Sequence, residues 1–330
     1  MSDQRHIVGV DLGGTSIHAG VVPFDGGEVL GFHSLPTAAD RGPKFVVDRI
    51  VAMIRDATGR AGEEGGVAKE AVVGIGIGSP GPLDRRTGTV IATPNLGWRN
   101  FPLRDLIANA AGLDAELDND ANAAALGEWW LGAGRGVSPL VGLTLGTGIG
   151  GGIVLDGRVF HGAADVAGEV GHMTIDSTGR RCNCGNYGCL EAYASGPAIA
   201  ARAVEGLQSG EPSLLPSMVG GDFGRITAGT VYEAILAGDA YAREVMRDTA
   251  KFLGTGIANL INILNPEMIV ISGGVTRAGD YLLEPLRTEV RRRAFRHAAE
   301  KCRIVTSSLG DRAGVIGAAY GFRLERFGDG

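Results

Sequence analysis

The sequence predicts an α/β chain folded as two packed lobes, on three observations. Its 330 residues are too many for one ordinary core and suit two domains of roughly 100–200 residues each. Short β-branched runs alternate along it with stretches of helical spacing. A Gly/Thr turn between strands occurs twice, first at Gly13-Gly14-Thr15 and again at Gly146-Thr147-Gly148. That second occurrence repeats the opening device of the chain in layout, although not as an alignable repeat.

From His6 to Leu35, short β-branched runs broken by Gly and by Asp25-Gly26-Gly27 read as an antiparallel meander, with Asp11-Leu12-Gly13-Gly14-Thr15 at its first turn. Phe45 to Ala57 carries apolar residues at helical spacing, and Ala71 to Gly78 alternates Val and Ile with Gly as a buried strand does. A strand, a turn and a helix follow from Ala115 to Leu131, with Asp120 at the helix entrance. Leu140 to Phe160 is again strand-rich. Beyond Ser195-Gly196-Pro197, where a capping Ser and an early Pro start a helix, the chain turns largely helical. Asp239 to Leu264 reads as one long helix closed by Asn265-Pro266, Met268 to Ser272 as a buried strand ending in Gly273-Gly274, and Ala313 to Arg326 as the last helix.

Composition narrows the function classes. Hydrophobic residues make up 44% and charged residues 21%, and no apolar run approaches the roughly 20 residues that span a bilayer, so no membrane partner is expected. The polar start, Met1 to Gln4, lacks the basic, apolar, small-residue order of a signal peptide, which leads to the expectation of a cytoplasmic protein. Acidic residues outnumber basic ones by 37 to 31, which argues against a nucleic-acid partner. Arg291-Arg292-Arg293 with Arg296 reads as a solvated helix face. Glycine is the outlier: 55 of 330 residues, against a usual share of about 7%. Much of the chain must therefore be tight turn or close packing.

A strand that turns sharply through glycines presents consecutive backbone N–H groups, and these can cradle phosphate oxygens where a side chain would block approach. In the first Gly/Thr turn, Gly13 and Gly14 would supply the cradle, Asp11 would hold Mg²⁺ or its water shell, and Thr15 would offer a hydroxyl. In the second, Thr147 and Gly148 would meet the outer phosphates of the same nucleotide. A turn of this kind alone is more often a plain hairpin; together with a third pair, Gly273-Gly274, the two favour a nucleotide site. No Gly-x-x-x-x-Gly-Lys-Ser/Thr loop is present, so the chain is not a P-loop enzyme.

His172 is followed by Cys182, Cys184 and Cys189, which puts three of four cysteines inside eight residues. Three thiolates and an imidazole make the donor set of a closed, structural tetrahedral zinc site, and Gly185 and Gly188 let the chain wrap a small ion. The competing readings are a disulfide or unrelated buried thiols; the first is disfavoured in a cytoplasmic protein and the second by the clustering. Cys302 stands alone and reads as a small buried hydrophobe.

Phosphoryl transfer to an alcohol needs a base beside the hydroxyl. Asp120, in Leu117-Asp118-Asn119-Asp120-Ala121-Asn122, sits at a strand-to-helix switch and is the candidate; a plain helix cap is the equal alternative. Glu169, His172 and Glu191 surround the cysteine cluster in sequence, and carboxylates with an imidazole suit a polyol. If His172 binds zinc through one ring nitrogen, the other is free to touch a sugar hydroxyl. Without that tether, Glu169 and Glu191 would be ordinary structural acids.

These residues resemble the ROK group of sugar kinases and repressors, and within it the bacterial ATP-dependent glucokinases. The resemblance covers nearly the whole chain, and its most specific part is Glu169-Val170-Gly171-His172 followed by Cys182-x-Cys184-Gly185-x-x-Gly188-Cys189-Leu190-Glu191. It implies an actin-like, hexokinase-type (ribonuclease H-like) ATPase fold with an active-site cleft between two lobes. The small α/β domain would be residues 1–118 plus about 305–330, with the last helix returning to it, and the large α/β domain residues 119–304 with the zinc loop. By the same likeness Asp120 looks like the base that takes the proton of the sugar 6-hydroxyl. Asn119, Glu169, His172 and Glu191 look like sugar ligands, joined by Gly81 of Ser79-Pro80-Gly81-Pro82 and Asn95 of Pro94-Asn95-Leu96-Gly97-Trp98. Gly273 and Gly274 look like part of the adenosine pocket. ATP, Mg²⁺ and a structural Zn²⁺ are the implied cofactors, glucose the leading sugar, and a homodimer or homotetramer the implied assembly.

Three alternatives follow. The acceptor changes to mannose, fructose, N-acetylglucosamine or N-acetylmannosamine; the donor changes to polyphosphate, for which no extra basic channel is evident; or the chain is a sugar-responsive repressor of the same group. The repressor reading is disfavoured because the first strand starts near His6, leaving no room for a helix-turn-helix, and because the net charge is acidic.

Overall fold

A computed structural model describes residues 4–93 and 95–328. Most of the polar start and Pro94 of the quoted motif lie outside the described residues. The chain begins with strands β1 (His6–Leu12), β2 (Ser16–Pro23) and β3 (Leu30–Pro36), then helix α1 (Pro43–Gly65) and β4 (Val72–Ser79). Three short strands, β5 (Leu83–Asp84), β6 (Thr89–Thr93) and β7 (Trp98–Phe101), form a small antiparallel sheet. Helix α2 (Leu103–Ala111), β8 (Ala115–Asn119) and α3 (Asp120–Trp130) follow, then β9 (Leu140–Leu145), β10 (Ile149–Leu155) and β11 (Arg158–Val159).

Next come the helices α4 (Glu191–Ala194), α5 (Gly196–Gln208), α6 (Leu215–Met218), α7 (Ala228–Leu236) and α8 (Ala240–Leu264), then β12 (Met268–Ser272), α9 (Asp280–Arg293), α10 (Arg296–Lys301), β13 (Arg303–Thr306) and α11 (Ala313–Phe327). One five-stranded sheet has the order β3-β2-β1-β4-β8 and another the order β11-β10-β9-β12-β13. Contacts divide the chain into a first unit, Met1–Gly142, Gly152–Gly168 and Ser307–Gly330, and a second unit, Leu143–Gly151 and Glu169–Thr306. The contact division carries the first unit past residue 118, because α3 packs along α11.

In the first unit the meander expected from His6 to Leu35 is present, with β1, β2 and β3 antiparallel in sequence and β4 and β8 added in parallel. Side chains on a strand alternate between faces. Val8, Val10 and Leu12 of β1, with Ile75 and Ile77 of β4, are buried in the core that also holds Val46, Ile50, Met53 and Ile54 of α1. The opposite face is reserved for close helix approach. A Cβ on Gly9 would lie 2.0 Å from the Val315 carbonyl oxygen, one on Gly76 1.8 Å from that of Ala318, and one on Gly74 1.9 Å from the Phe322 ring. The Val/Gly/Ile/Gly alternation of β4 thus records two faces with opposite demands, apolar bulk for α1 and no bulk for α11. Helices α3 and α11 also touch through glycine: a Cβ on Gly317 would meet the Ala123 carbonyl oxygen at 1.6 Å.

The second unit is mainly helical. Asp239 caps α8 by accepting from the Ala242 N–H, and Asn265 ends it in the left-handed region at φ 46°. Ser195 caps α5 by accepting from the Ala198 N–H, as the Ser-Gly-Pro signal predicts. Strand β12 pairs in parallel with β13 and is buried from Met268 to Ile271. Arg292 and Arg293 reach back to the buried Glu289 carboxylate, and Arg296 is 91% exposed, which is the solvated face expected of that run. Cys302 is buried at the entrance of β13, and burial pushes its thiol up to about 11.

Candidate active site

Within the first unit, the β1–β2 turn closes through the Gly13 N–H on the Ser16 carbonyl at 2.8 Å. Thr37, fully buried, holds the turn from behind: its N–H donates to the Thr15 carbonyl at 2.9 Å and its hydroxyl to that of Gly13 at 2.7 Å. Asn95 lies against Gly14, where a Cβ would approach its own Cβ to 3.3 Å. Asp11 lies on the face of β1 that α11 covers, and a Cβ on Gly314 would come within 2.3 Å of its Oδ2. Burial, with the Asp120 and Asp311 carboxylates nearby, pushes the Asp11 carboxyl up to about 8. A divalent cation would let these acids ionise together, so the residues present fit the Mg²⁺ that a nucleotide brings. Asp311 was not singled out from sequence, because no motif marks the turn before the last helix.

The turn from β8 into α3 settles which residue caps the helix. Asn119 is the N-cap: its Oδ1 accepts from the Ala121 N–H at 2.9 Å and the Asn122 N–H at 3.2 Å. Asp120 is therefore the first helical residue, and its Oδ1 accepts from the Ala121 N–H at 2.8 Å. The amide of Asn119 donates to the Gly81 carbonyl at 3.5 Å, which brings Gly81 and Asn119 together. Gly81 has φ 116°, and a Cβ there would sit 2.4 Å from the Ala92 carbonyl oxygen, so only glycine fits.

Sequence reading passed over a buried polar network behind this turn. Asp118 Oδ1 accepts from the Asn119 N–H at 2.7 Å and from Asn122 Nδ2 at 3.1 Å, while Oδ2 pairs with His161 Nε2 at 2.7 Å. Arg85 places Nη1 3.3 Å from His161 Nδ1 and donates through Nη2 to Glu325 at 2.6 Å. Burial pushes the Asp118 carboxyl up, but the His161 bond, the Arg85 charge and the Asn122 amide outweigh it and hold it below the usual carboxylate range.

Within the second unit, the Gly146 N–H closes the β9–β10 turn on the Gly148 carbonyl at 2.9 Å. Thr147 and Gly274 line one cavity of about 590 Å³ together with Gly196, Pro197, Thr227 and Val275. Gly273, at φ 92°, ends β12 where a Cβ would lie 2.3 Å from the Leu145 carbonyl oxygen. Glu191 is tied to the same turn, since its Oε2 accepts from the Ile149 N–H at 2.9 Å. A Cβ on Gly148 would lie 2.5 Å from that oxygen. Burial raises the Glu169 carboxyl; His172 lowers it and Glu191 raises it further, which places these three candidates in one electrostatic neighbourhood.

His172, Cys182, Cys184 and Cys189 bring their ligand atoms within 4.8 Å of one another. The loop folds on itself through the Cys182 N–H to the Asn186 carbonyl and the Gly185 N–H to the Cys182 carbonyl. Gly185 and Gly188 both have positive φ, and a Cβ on Gly188 would meet the Asp176 carbonyl oxygen at 1.6 Å. A tetrahedral zinc with Zn–S of about 2.3 Å sets its sulfurs about 3.8 Å apart. Cys184 and Cys189 Sγ are 3.7 Å apart, and Cys182 Sγ is 3.7 Å from His172 Nδ1. All four cysteines are free, so the disulfide reading fails. Burial pushes the Cys189 thiol up to about 12, so a bound cation would be needed to hold it as thiolate. The donor set and its spacing fit Zn²⁺.

Among the described residues no helix is long and apolar enough to cross a membrane. The chain is 42% identical over 97% of its length to a glucokinase from Halalkalibacterium halodurans, 95% of which is covered. It is 35% identical to a xylose repressor from Caldicellulosiruptor bescii, covering 96% of this chain and 77% of the repressor. A ROK family glucokinase from Streptomyces griseus, solved in complex with glucose and AMPPNP, superposes with a TM-score of 0.82 at 35% identity over 96% of this chain and 98% of its own. The fold is thus the actin-like, hexokinase-type α/β fold that the resemblance implies. Residues 7–324 match the ROK family, and the chain belongs to it.

Proposed function

We propose that this protein is an ATP-dependent sugar kinase that phosphorylates glucose at the 6-hydroxyl. The observation that carries the reading is Asp120 at the first position of α3, one residue after the N-cap Asn119. From that position its carboxylate lies close enough to Asp11 to raise the Asp11 carboxyl, which sets the candidate base beside the acid that would hold the Mg²⁺ of the nucleotide. Its choice of glucose is supported by the likeness to glucokinases.

In this reading Asp120 accepts the proton of the 6-hydroxyl as that oxygen attacks the γ-phosphoryl group. Gly81, Asn95, Asn119, Glu169, His172 and Glu191 hold the sugar hydroxyls. Gly13, Gly14, Thr15, Thr147 and Gly148 hold the phosphates through N–H and hydroxyl groups, and Gly273 and Gly274 border the adenosine. Asp11 would hold Mg²⁺ or its water shell, and that ion supplies charge neutralisation when bound. The loop of His172, Cys182, Cys184 and Cys189 would hold Zn²⁺ as a structural brace that fixes the His172 ring.

The test is ADP release with ATP and Mg²⁺ on glucose, mannose, fructose, N-acetylglucosamine and N-acetylmannosamine, repeated with Asp120→Asn. Preference for glucose, and a loss of turnover of about 10²–10⁴-fold in the variant with glucose binding kept within about tenfold, is the expected result. Preference for another sugar overturns the substrate, retained turnover removes Asp120 as base, and silence on all five overturns the kinase reading.

A further inference from the structure

We infer that His161 is a positioning residue for phosphoryl transfer, acting through Asp118 on the turn that presents Asn119 and Asp120. It rests on the reading of Asp120 as the base.

Asp118 is fully engaged. Two of its donors, the Asn119 N–H at 2.7 Å and Asn122 Nδ2 at 3.1 Å, belong to residues on either side of Asp120. The third is His161 Nε2 at 2.7 Å, brought in from the segment after β11. The direction of that bond is fixed by Arg85. A guanidinium has donors and no acceptor, so His161 Nδ1, 3.3 Å from Arg85 Nη1, must accept, and the ring hydrogen sits on Nε2 pointing at Asp118. Arg85 is itself held by Glu325 at 2.6 Å, and its Nε lies 3.6 Å from Asp118 Oδ2. Asp118 thereby holds the 119–122 turn with one oxygen and is held by His161 with the other.

The network ends on Asn119 and Asn122, one residue before Asp120 and two after it, and so spans the turn that carries Asp120. A shift of about 1 Å at a reacting group costs roughly 100-fold in rate, and Asp118 is the link through which loss of the His161 bond would reach the turn that carries Asp120.

The experiment compares His161→Ala with His161→Gln, whose amide keeps a donor for Asp118 and an acceptor for Arg85. The expected result is a kcat lowered about 10–100-fold in the alanine variant, with glucose KM and calorimetric glucose affinity changed less than kcat, and recovery to within about threefold of the parent in the glutamine variant. Equal loss in both variants, or affinity falling in step with kcat, reduces His161 to a structural role and overturns the inference. If His161→Ala does not fold, His161→Asn, one methylene too short to reach Asp118, replaces it in the same comparison. Asp120→Asn measured alongside separates the two ideas: turnover lost there but unchanged in His161→Ala defeats the positioning role alone, whereas turnover kept in Asp120→Asn defeats the base itself.

Discussion

The two ring nitrogens of His172 face different chemistry: Nδ1 lies 3.7 Å from the Cys182 sulfur, and Nε2 lies 4.0 Å from a Glu169 carboxylate oxygen. One side chain thus belongs to the cysteine cluster and to the candidate sugar residues at once, and metal loss should be felt by sugar.

Cys184→Ser, or chelation of the parent, is therefore expected to release one Zn²⁺ per chain, lower the melting temperature and reduce activity by about 10–100-fold through the freed His172 ring. Metal analysis with glucose titration checks this; a zinc-free variant with unchanged glucose affinity would sever the link between loop and sugar.

Two glycines of α11 should respond in opposite directions to the same change. Gly314→Ala drives a Cβ to 2.3 Å from Asp11 Oδ2, and is expected to cost about 1–3 kcal/mol of stability and to raise the KM for Mg·ATP. For Gly321→Ala the nearest atom is Leu126 Cδ2 at 3.9 Å, so the helix should gain about 0.5–1 kcal/mol. Urea unfolding of both variants decides; equal destabilisation would mean that the Asp11 approach is not the limiting contact.

Asp239 gives a pH signature. Burial pushes its carboxyl up, yet bonds from the N–H groups of Ala242, Leu214 and Tyr241 and from the Ser213 hydroxyl leave it below its usual value. A carboxyl depressed in the folded state contributes its full stability above the unfolded pKa of about 3.9 and loses it as pH falls through the folded value. Asp239→Asn is expected to destabilise by about 1–2 kcal/mol at pH 7 and to show a shallower loss of stability below pH 4 than the parent. Denaturant melts across pH 2.5–7 check it, and parallel curves would refute it.

Local chemistry is what the sequence displayed. The cysteine loop was legible because its three thiols fall within eight residues, and the meander, the long helix and the β8–α3 switch because their periods and caps are contiguous. Asp120 was visible at the helix entrance, but the N-cap position was not: it belongs to Asn119, one residue earlier, whose side chain accepts the Ala121 and Asn122 N–H groups. The network of Arg85, Asp118, His161 and Glu325 was invisible because its members are separated by up to 240 residues and share no spacing. Asp311 was missed for the same reason, and the β4 glycines were read as strand without revealing that they exist for α11.

The first unit is written discontinuously: its central strands come from the start of the chain, and the helix that covers Gly9, Gly74 and Gly76 from the end. During synthesis β1 and β4 must wait for α11, roughly 240–300 residues later, which at about 5–20 residues per second is on the order of 12–60 s. Until then a glycine-lined sheet face stands open to other nascent chains. The ribosome-bound intermediate, more than the finished protein, is the species with cause to meet a chaperone.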